Sequence, residues 1–171
     1  MNHQYRPRRQ QAGFSLIELL IVVAIISILA AVAVPKLLDN IRLGRETATL
    51  ESLRTIHNNQ AHYSALKGKF GSLKELSDAG LVDANYGSGT AVSGYVYQST
   101  EATPDQYCVQ ATRQSPSTAY KDFNIIEDGT IRFVESKSPS PIPHGEGTPF
   151  GGAPGSGGGS KGPEPPPGGQ Q

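Results

Sequence analysis

The pattern of apolar and polar positions divides the chain into three stretches governed by different rules. In residues 14–34 the side chains are apolar except for Ser15, Glu18 and Ser27, and Lys36 closes the run. As a helix, residues 14–35 would span about 33 Å, close to the roughly 30 Å hydrocarbon core of a bilayer. After Pro35 the pattern changes. Leu50, Leu53, Ile56, Gln60 and Tyr63 recur every three or four residues, which predicts one covered stripe on an otherwise polar helix. Asp39 with Arg42 and Glu51 with Arg54 are i,i+3 pairs, and Arg42 with Glu46 is an i,i+4 pair, spacings that support a helix. Pro35 lacks an N–H and is expected to bend or loosen the helix rather than end it. One long helix from residue 14 to about residue 66 follows.

Residues 68–71, Gly-Lys-Phe-Gly, stop that helix. Ser72-Leu73-Lys74-Glu75 reads as a capping box opening a short helix that Gly80 closes. The Gly/Ser/Asn-rich stretch to Ser93 reads as loop. Strands are predicted at residues 94–99, 106–113, 123–127 and 130–135. The last two are joined by Asp128-Gly129, a hairpin signal. Tyr107, Val109 and Ala111 alternate with Cys108, Gln110 and Thr112, the period of a strand with one face covered. The expected fold class is therefore α+β, a long N-terminal helix packed on a small antiparallel sheet. Nine of the thirteen prolines fall in residues 139–167. Residues 136–171 are accordingly read as a solvated tail that cannot bury enough apolar surface to order itself.

Composition narrows the function. Fifteen basic residues balance fifteen acidic ones, which argues against nucleic acid as a direct partner. The only cysteine, Cys108, allows no intrachain disulfide and reads as a small core residue. His57 and His62 lie about 140° apart around a helix, too far to share a metal as an i,i+4 pair could, so no metal site is expected. Residues 157–162 spell G-x-G-x-x-G, but no strand precedes them and no helix follows, so the match carries no nucleotide site. There is no G-x-S-x-G, H-E-x-x-H or C-x-x-C, and no enzyme, cofactor or small-molecule substrate is expected.

The N-terminal thirteen residues carry Arg6, Arg8 and Arg9 and no acid, which favours keeping that end cytoplasmic. The apolar run is longer than the roughly 7–15 residues of an ordinary secretory signal. Within it, Glu18 would cost about 2.5–3.5 kcal/mol at the centre of a bilayer and less near its edge. Such a carboxylate either reaches back to the headgroups or finds a partner.

The segment GFSLIELLIVVAIISILAAVAVPKL, residues 13–37, resembles the prepilin cleavage and methylation motif shared by type IV pilins and type II secretion pseudopilins. The resemblance implies a leader, residues 1–13, cut between Gly13 and Phe14 by a membrane-embedded prepilin peptidase. It further implies N-methylation of Phe14, a filament-core segment at residues 14–35, and a pilin domain within residues 36–135. Glu18 would then pair with the new amino terminus of a neighbouring subunit, and Pro35 would bend the helix used in assembly. Losing the leader removes three arginines, leaving 12 basic against 15 acidic residues, a net of −3. The expected partners are sister pilin subunits, the peptidase, the bacterial inner membrane and an assembly platform. The expected locations are a single-pass membrane precursor and then a periplasmic or cell-surface filament.

Many type IV pilins close a C-terminal loop with a disulfide, and the single cysteine forbids that here. Nor can the calcium-site residues expected of a major pseudopilin be assigned near the C-terminus. A pilus subunit, a pseudopilin and a membrane-anchored binding module that never polymerises all stay open at this point.

Overall fold

A computed structural model describes residues 14–151. The leader, residues 1–13, and residues 152–171 lie outside the described residues. The described chain divides into two units that meet between Ile41 and Arg42. The first is the apolar half of helix α1 (Leu16–Lys67), which runs on through Pro35. Pro35 therefore does not end the helix. The second unit begins at Arg42 and contains the rest of α1 and a small α+β domain.

The domain is built against one stripe of α1. Glu46, Thr49, Leu50, Leu53, Ile56, Gln60 and Tyr63 are the buried residues of the helix, spaced three or four apart as one face requires. At the C-terminal end Gly68 takes φ 72° and donates its N–H to Ser64 O at 2.8 Å. The chain then turns back under Gln60. The Gln60 amide donates to Gly71 O at 2.6 Å and accepts from Gly71 N–H at 3.0 Å. A Cβ on Gly71 would sit 2.6 Å from Leu76 Cδ1 and 2.9 Å from Tyr63 Cε1, so any larger residue would force one of these packed side chains to move.

Helix α2 (Leu73–Asp78) starts at the expected capping box. Ser72 Oγ accepts from Glu75 N–H at 3.2 Å, and Glu75 Oε2 accepts from Ser72 N–H at 2.8 Å. Gly80 closes the turn at φ 71°. The stretch read as loop also holds a one-turn helix, α3 (Ala84–Gly87), capped by Asp83. Asn59 and Ser52 fasten this layer to α1, bonding Leu81 O at 2.7 Å and the Tyr86 hydroxyl at 3.0 Å.

The sheet has five antiparallel strands in sequence order: β1 (Tyr95–Ala102), β2 (Tyr107–Arg113), β3 (Lys121–Ile126), β4 (Ile131–Glu135) and β5 (Thr148–Pro149). Strand β1 runs three residues past the expected end at Ser99, across an irregularity between Ser99 and Glu101. Asp128-Gly129 makes the β3–β4 turn, with Gly129 at φ 72° and its N–H on Ile126 O at 3.0 Å. Tyr95, Tyr97, Tyr107, Val109, Ala111, Phe123 and Ile125 face Leu50, Leu53 and Ile56 in a single core. Cys108, on the opposite parity of β2, is buried and free as a core residue.

The reading of residues 136–171 as an unpacked tail is corrected for residues 136–151. Residues 136–147 form a strap across the sheet face opposite α1. Gln110 Nε2 donates to Ile142 O at 2.8 Å, and Asn124 Nδ2 donates to Pro143 O at 2.8 Å and Glu146 O at 3.3 Å. Asp122 Oδ2 accepts from Ser140 N–H at 3.1 Å. A buried ion pair, Arg113–Asp122 at 3.1 Å, anchors the near end, with Arg113 also donating to Ser136 O at 2.7 Å. His144 pairs with Glu127 at 3.0 Å at the far end. The chain then returns as β5 beside β4, and Phe150 N–H reaches Ile131 O at 2.7 Å. What anchors the strap is polar. Buried sheet side chains grip its main chain, and Ile142 is its one buried apolar residue.

Candidate assembly segment

The segment that the sequence singles out is the N-terminal half of α1, and none of the described residues covers it. Every residue from 14 to 41 is exposed. Phe14 is 77% exposed, Leu16 81% and Ile28 69%. The helix is long and apolar enough to cross a membrane. A contiguous apolar surface of this extent marks a partner or a lipid phase.

Polarity inside the segment is almost wholly satisfied locally. The first turn closes on Ser15 O, which accepts from Glu18 N–H at 3.1 Å and Leu19 N–H at 3.3 Å. Ser27 Oγ donates to Val23 O at 2.7 Å, so its hydroxyl adds no unmet donor. Pro35 cannot supply the N–H that the carbonyl four residues earlier would otherwise receive. Glu18 is the one ionisable side chain between Phe14 and Val34. It lies in the first helical turn, where the helix dipole favours a negative charge by about 0.3–1 kcal/mol. It stands four residues along the chain from Phe14, which precedes the first residue of the helix. Phe14 thus lies just before the helix, Glu18 in its first turn and Pro35 near the far end of the apolar segment. Gly13 lies outside them.

Three side chains at the start of the second unit have roles that helix spacing did not reveal. Arg42 Nη1 donates to the Tyr120 hydroxyl at 2.7 Å and Arg42 Nε to Ser117 O at 3.2 Å. Arg45 Nη1 reaches Thr118 O at 3.2 Å. Glu46 is buried, accepts from Tyr120 N–H at 2.8 Å, and faces Lys121 Nζ at 3.6 Å. The sequence placed Arg42 and Glu46 as partners of one another along the helix. In the fold both fasten α1 to the β2–β3 connection, over 70 residues away in sequence. A contact of that separation leaves no local signal. Of the two histidines in α1, His57 hydrogen-bonds the Tyr107 hydroxyl, and His62 is exposed.

Residues 8–34 match the family model described as a prokaryotic N-terminal methylation motif. The chain is also 32% identical over 138 residues to the type IV wide pilus major component PilA4 of Thermus thermophilus, a match covering 79% of this chain and 99% of that protein. This chain belongs to the type IV pilin family. The match extends well beyond the motif, so the pilin likeness includes the outer domain as well as the apolar helix. In this pilin the exposed half of α1 and the α+β domain are the two parts whose division of labour has to be explained.

Proposed function

We propose that this pilin is a structural subunit of a type IV pilus filament. It is made as a single-pass inner-membrane precursor with a cytoplasmic N-terminus, and prepilin peptidase cuts it between Gly13 and Phe14. Phe14 is then N-methylated, and an assembly platform packs the subunits through residues 14–41. The pilin itself performs no catalytic step; the peptidase supplies the only bond cleavage. The observation that carries this reading is a fully uncovered apolar helix with a single carboxylate at its head.

Lipid tails and sister helices are equally apolar, so moving the helix from bilayer to filament costs little hydrophobic energy, and close packing decides the balance. Glu18 alters that balance. Cleavage creates a cationic amino terminus on Phe14, and methylation keeps the charge. A carboxylate unpartnered in lipid is costly; paired with the amino terminus of a neighbour it is neutralised. Each subunit then repeats one head-to-tail contact, which generates an open helical polymer. Similarity to a pilus major component supports a pilus over a secretion pseudopilus.

Mass spectrometry of subunits from sheared surface filaments tests the reading. The expected chain begins with N-methylated Phe14. A mature chain beginning at any other residue would overturn the assigned maturation. Retention of all native-level polymer in the cell envelope after shearing would move the assignment to a pseudopilin.

A further inference from the structure

The exposed apolar stretch of α1 ends at Ile41, and a cluster of basic, aromatic and hydroxyl-bearing side chains follows at once. Helical residues 16–41 rise about 39 Å, close to the roughly 40–45 Å of a bilayer with both headgroup layers. The next turn carries Arg42 and Arg45, with Leu43 exposed between them. The β2–β3 connection is fastened beside that turn, through Ser117 O, Thr118 O and the Tyr120 hydroxyl. Arg42 also lies over the Tyr120 ring, 5.1 Å from its centroid. Pro116, Ser117 and Tyr120 are exposed at this end of the domain. Arg45 is held differently. Its stem lies against Gly94, where a Cβ would come 3.4 Å from Arg45 Cδ, and one N–H goes to Thr118 O at 3.2 Å. A guanidinium has five such donors, and Arg45 makes no ion pair among the described residues. Beside it, Ser115 Oγ hydrogen-bonds Ser117 Oγ at 2.9 Å and Thr118 Oγ1 at 3.0 Å. The nearest buried acid, Glu46, is already taken by Tyr120 N–H and Lys121.

We infer that Arg42, Arg45 and Tyr120 seat the domain on the periplasmic headgroup layer of the membrane, with the Arg45 guanidinium taking the phosphodiester of a phospholipid. Three observations choose that partner. The exposed apolar surface stops one residue before Arg42, so a helix filled with lipid to that point brings this turn to headgroup depth. Arginine and tyrosine each join an apolar body to a polar tip, the kind of side chain that rests at a membrane boundary. Finally, the unused N–H groups of Arg45 form a planar fork that matches the oxygens of a phosphate, and the loop hydroxyls add further donors. Attraction between a basic side chain and anionic lipid strengthens the contact. This placement rests on the membrane-precursor reading, since the inserted helix sets the depth. The seat belongs to the subunit before assembly, and incorporation into a filament has to release it.

The test uses the full chain in vesicles of phosphatidylcholine and phosphatidylglycerol that contain a lipid spin-labelled on its headgroup. A fluorophore is placed on Ser117→Cys or on Asp105→Cys; Cys108 is buried and stays unlabelled. Asp105 lies in the β1–β2 turn at the opposite end of the sheet, about 23 Å away along β2. The Ser117 fluorophore should be quenched and the Asp105 fluorophore should not; equal quenching, or none at Ser117, would overturn the inference. Arg45→Gln should lower the ratio of seated to lifted domains about fivefold, and Arg45→Lys, which keeps the charge, should recover most of it. An unchanged ratio in an Arg45→Gln chain of normal Tm would remove the phosphate contact. If that variant fails to fold, the unmutated chain in vesicles of digalactosyldiacylglycerol, which has no phosphate, decides: quenching as strong as in phospholipid sinks the idea. Loss of quenching on adding inorganic phosphate would overturn it in favour of a free-anion site. Loss on dilution to one chain per vesicle would overturn it in favour of a second copy. Release of the chain from the vesicles by alkaline carbonate would bring down the membrane reading as well, whereas retention without quenching at Ser117 would sink this inference alone.

Discussion

The two halves of α1 are one helix written in two vocabularies. Up to Ile41 every position is exposed and nearly all are apolar; from Arg42 the helix is mostly polar, with a seven-residue stripe buried against the domain. The second half is covered by its own domain, and the first is covered by none of the described residues. A soluble helix normally hides its apolar face. The contrast confines the uncovered apolar surface of α1 to residues 14–41 among the described residues. It also separates two kinds of failure. Damage to the second half should unfold the domain, whereas damage to the first should leave the domain intact and spoil assembly.

The most severe break in that comparison is Glu18→Leu. It should spare membrane insertion and domain folding but cut filament yield about tenfold or more, because the amino terminus of Phe14 would lose its partner; wild-type yield by immunoblot of sheared fractions would remove the pairing role. On the domain side, Asp122→Ala leaves Arg113 buried without its carboxylate and should cost about 3–5 kcal/mol, read as a lowered Tm of the detergent-solubilised chain.

The same substitution made in both halves sharpens the contrast. Leu53→Ala, at a fully buried position, should cost about 2–5 kcal/mol. Leu29→Ala, at a position 65% exposed, should change domain stability by less than about 0.5 kcal/mol. Equal Tm shifts would mean that the first half also packs on the domain. A smaller effect is expected from Ser72→Ala, which removes the α2 cap and should cost about 1 kcal/mol by denaturant titration.

The smallest effect is on acid stability. Hydrogen bonding from Lys69, then from the Ser72 N–H and hydroxyl, lowers the Glu75 carboxyl from its ordinary 4.5 to about 2. A depressed carboxyl stabilises the fold fully above the unfolded value. That contribution fades as pH falls from about 4.5 towards about 2. In Glu75→Gln this part of the acid dependence should vanish, and an unchanged pH profile would show that Glu75 contributes none of it.

Much of this architecture was legible because it is local. The stripe from Leu50 to Tyr63, the Ser72–Glu75 cap and the Asp128-Gly129 turn each declare themselves within a few residues, and each stands in the fold as the spacing predicted. The strap did not. Residues 136–151 are rich in proline and serine and offer few apolar anchors, chiefly Ile142 and Phe150. What orders them is Gln110, Asn124, Asp122 and Arg113, residues distant in sequence whose polar ends are buried against main-chain groups. Composition therefore read an ordered segment as a solvated one. The roles of Arg42 and Glu46 were missed for the same reason. In the apolar half of α1, the continuous helix through Pro35 was legible from hydropathy, because that region folds without long-range help; the roles assigned to Phe14 and Glu18 come from the resemblance to the prepilin motif.

The strap's manner of attachment has a consequence for how the pilin surface can vary. Asn124 and Gln110 grip carbonyl groups, which every amino acid possesses, so the grip does not depend on the identity of the outward side chains. Ser138 and Ser140, both exposed, can be exchanged for bulky or charged residues with little penalty, whereas one residue inserted between Ser140 and Pro143 would put the Asp122 grip out of step with the Asn124 grip. The exterior of the subunit is in this respect a blank label held in a fixed frame, open to rewriting letter by letter and intolerant of any change in length.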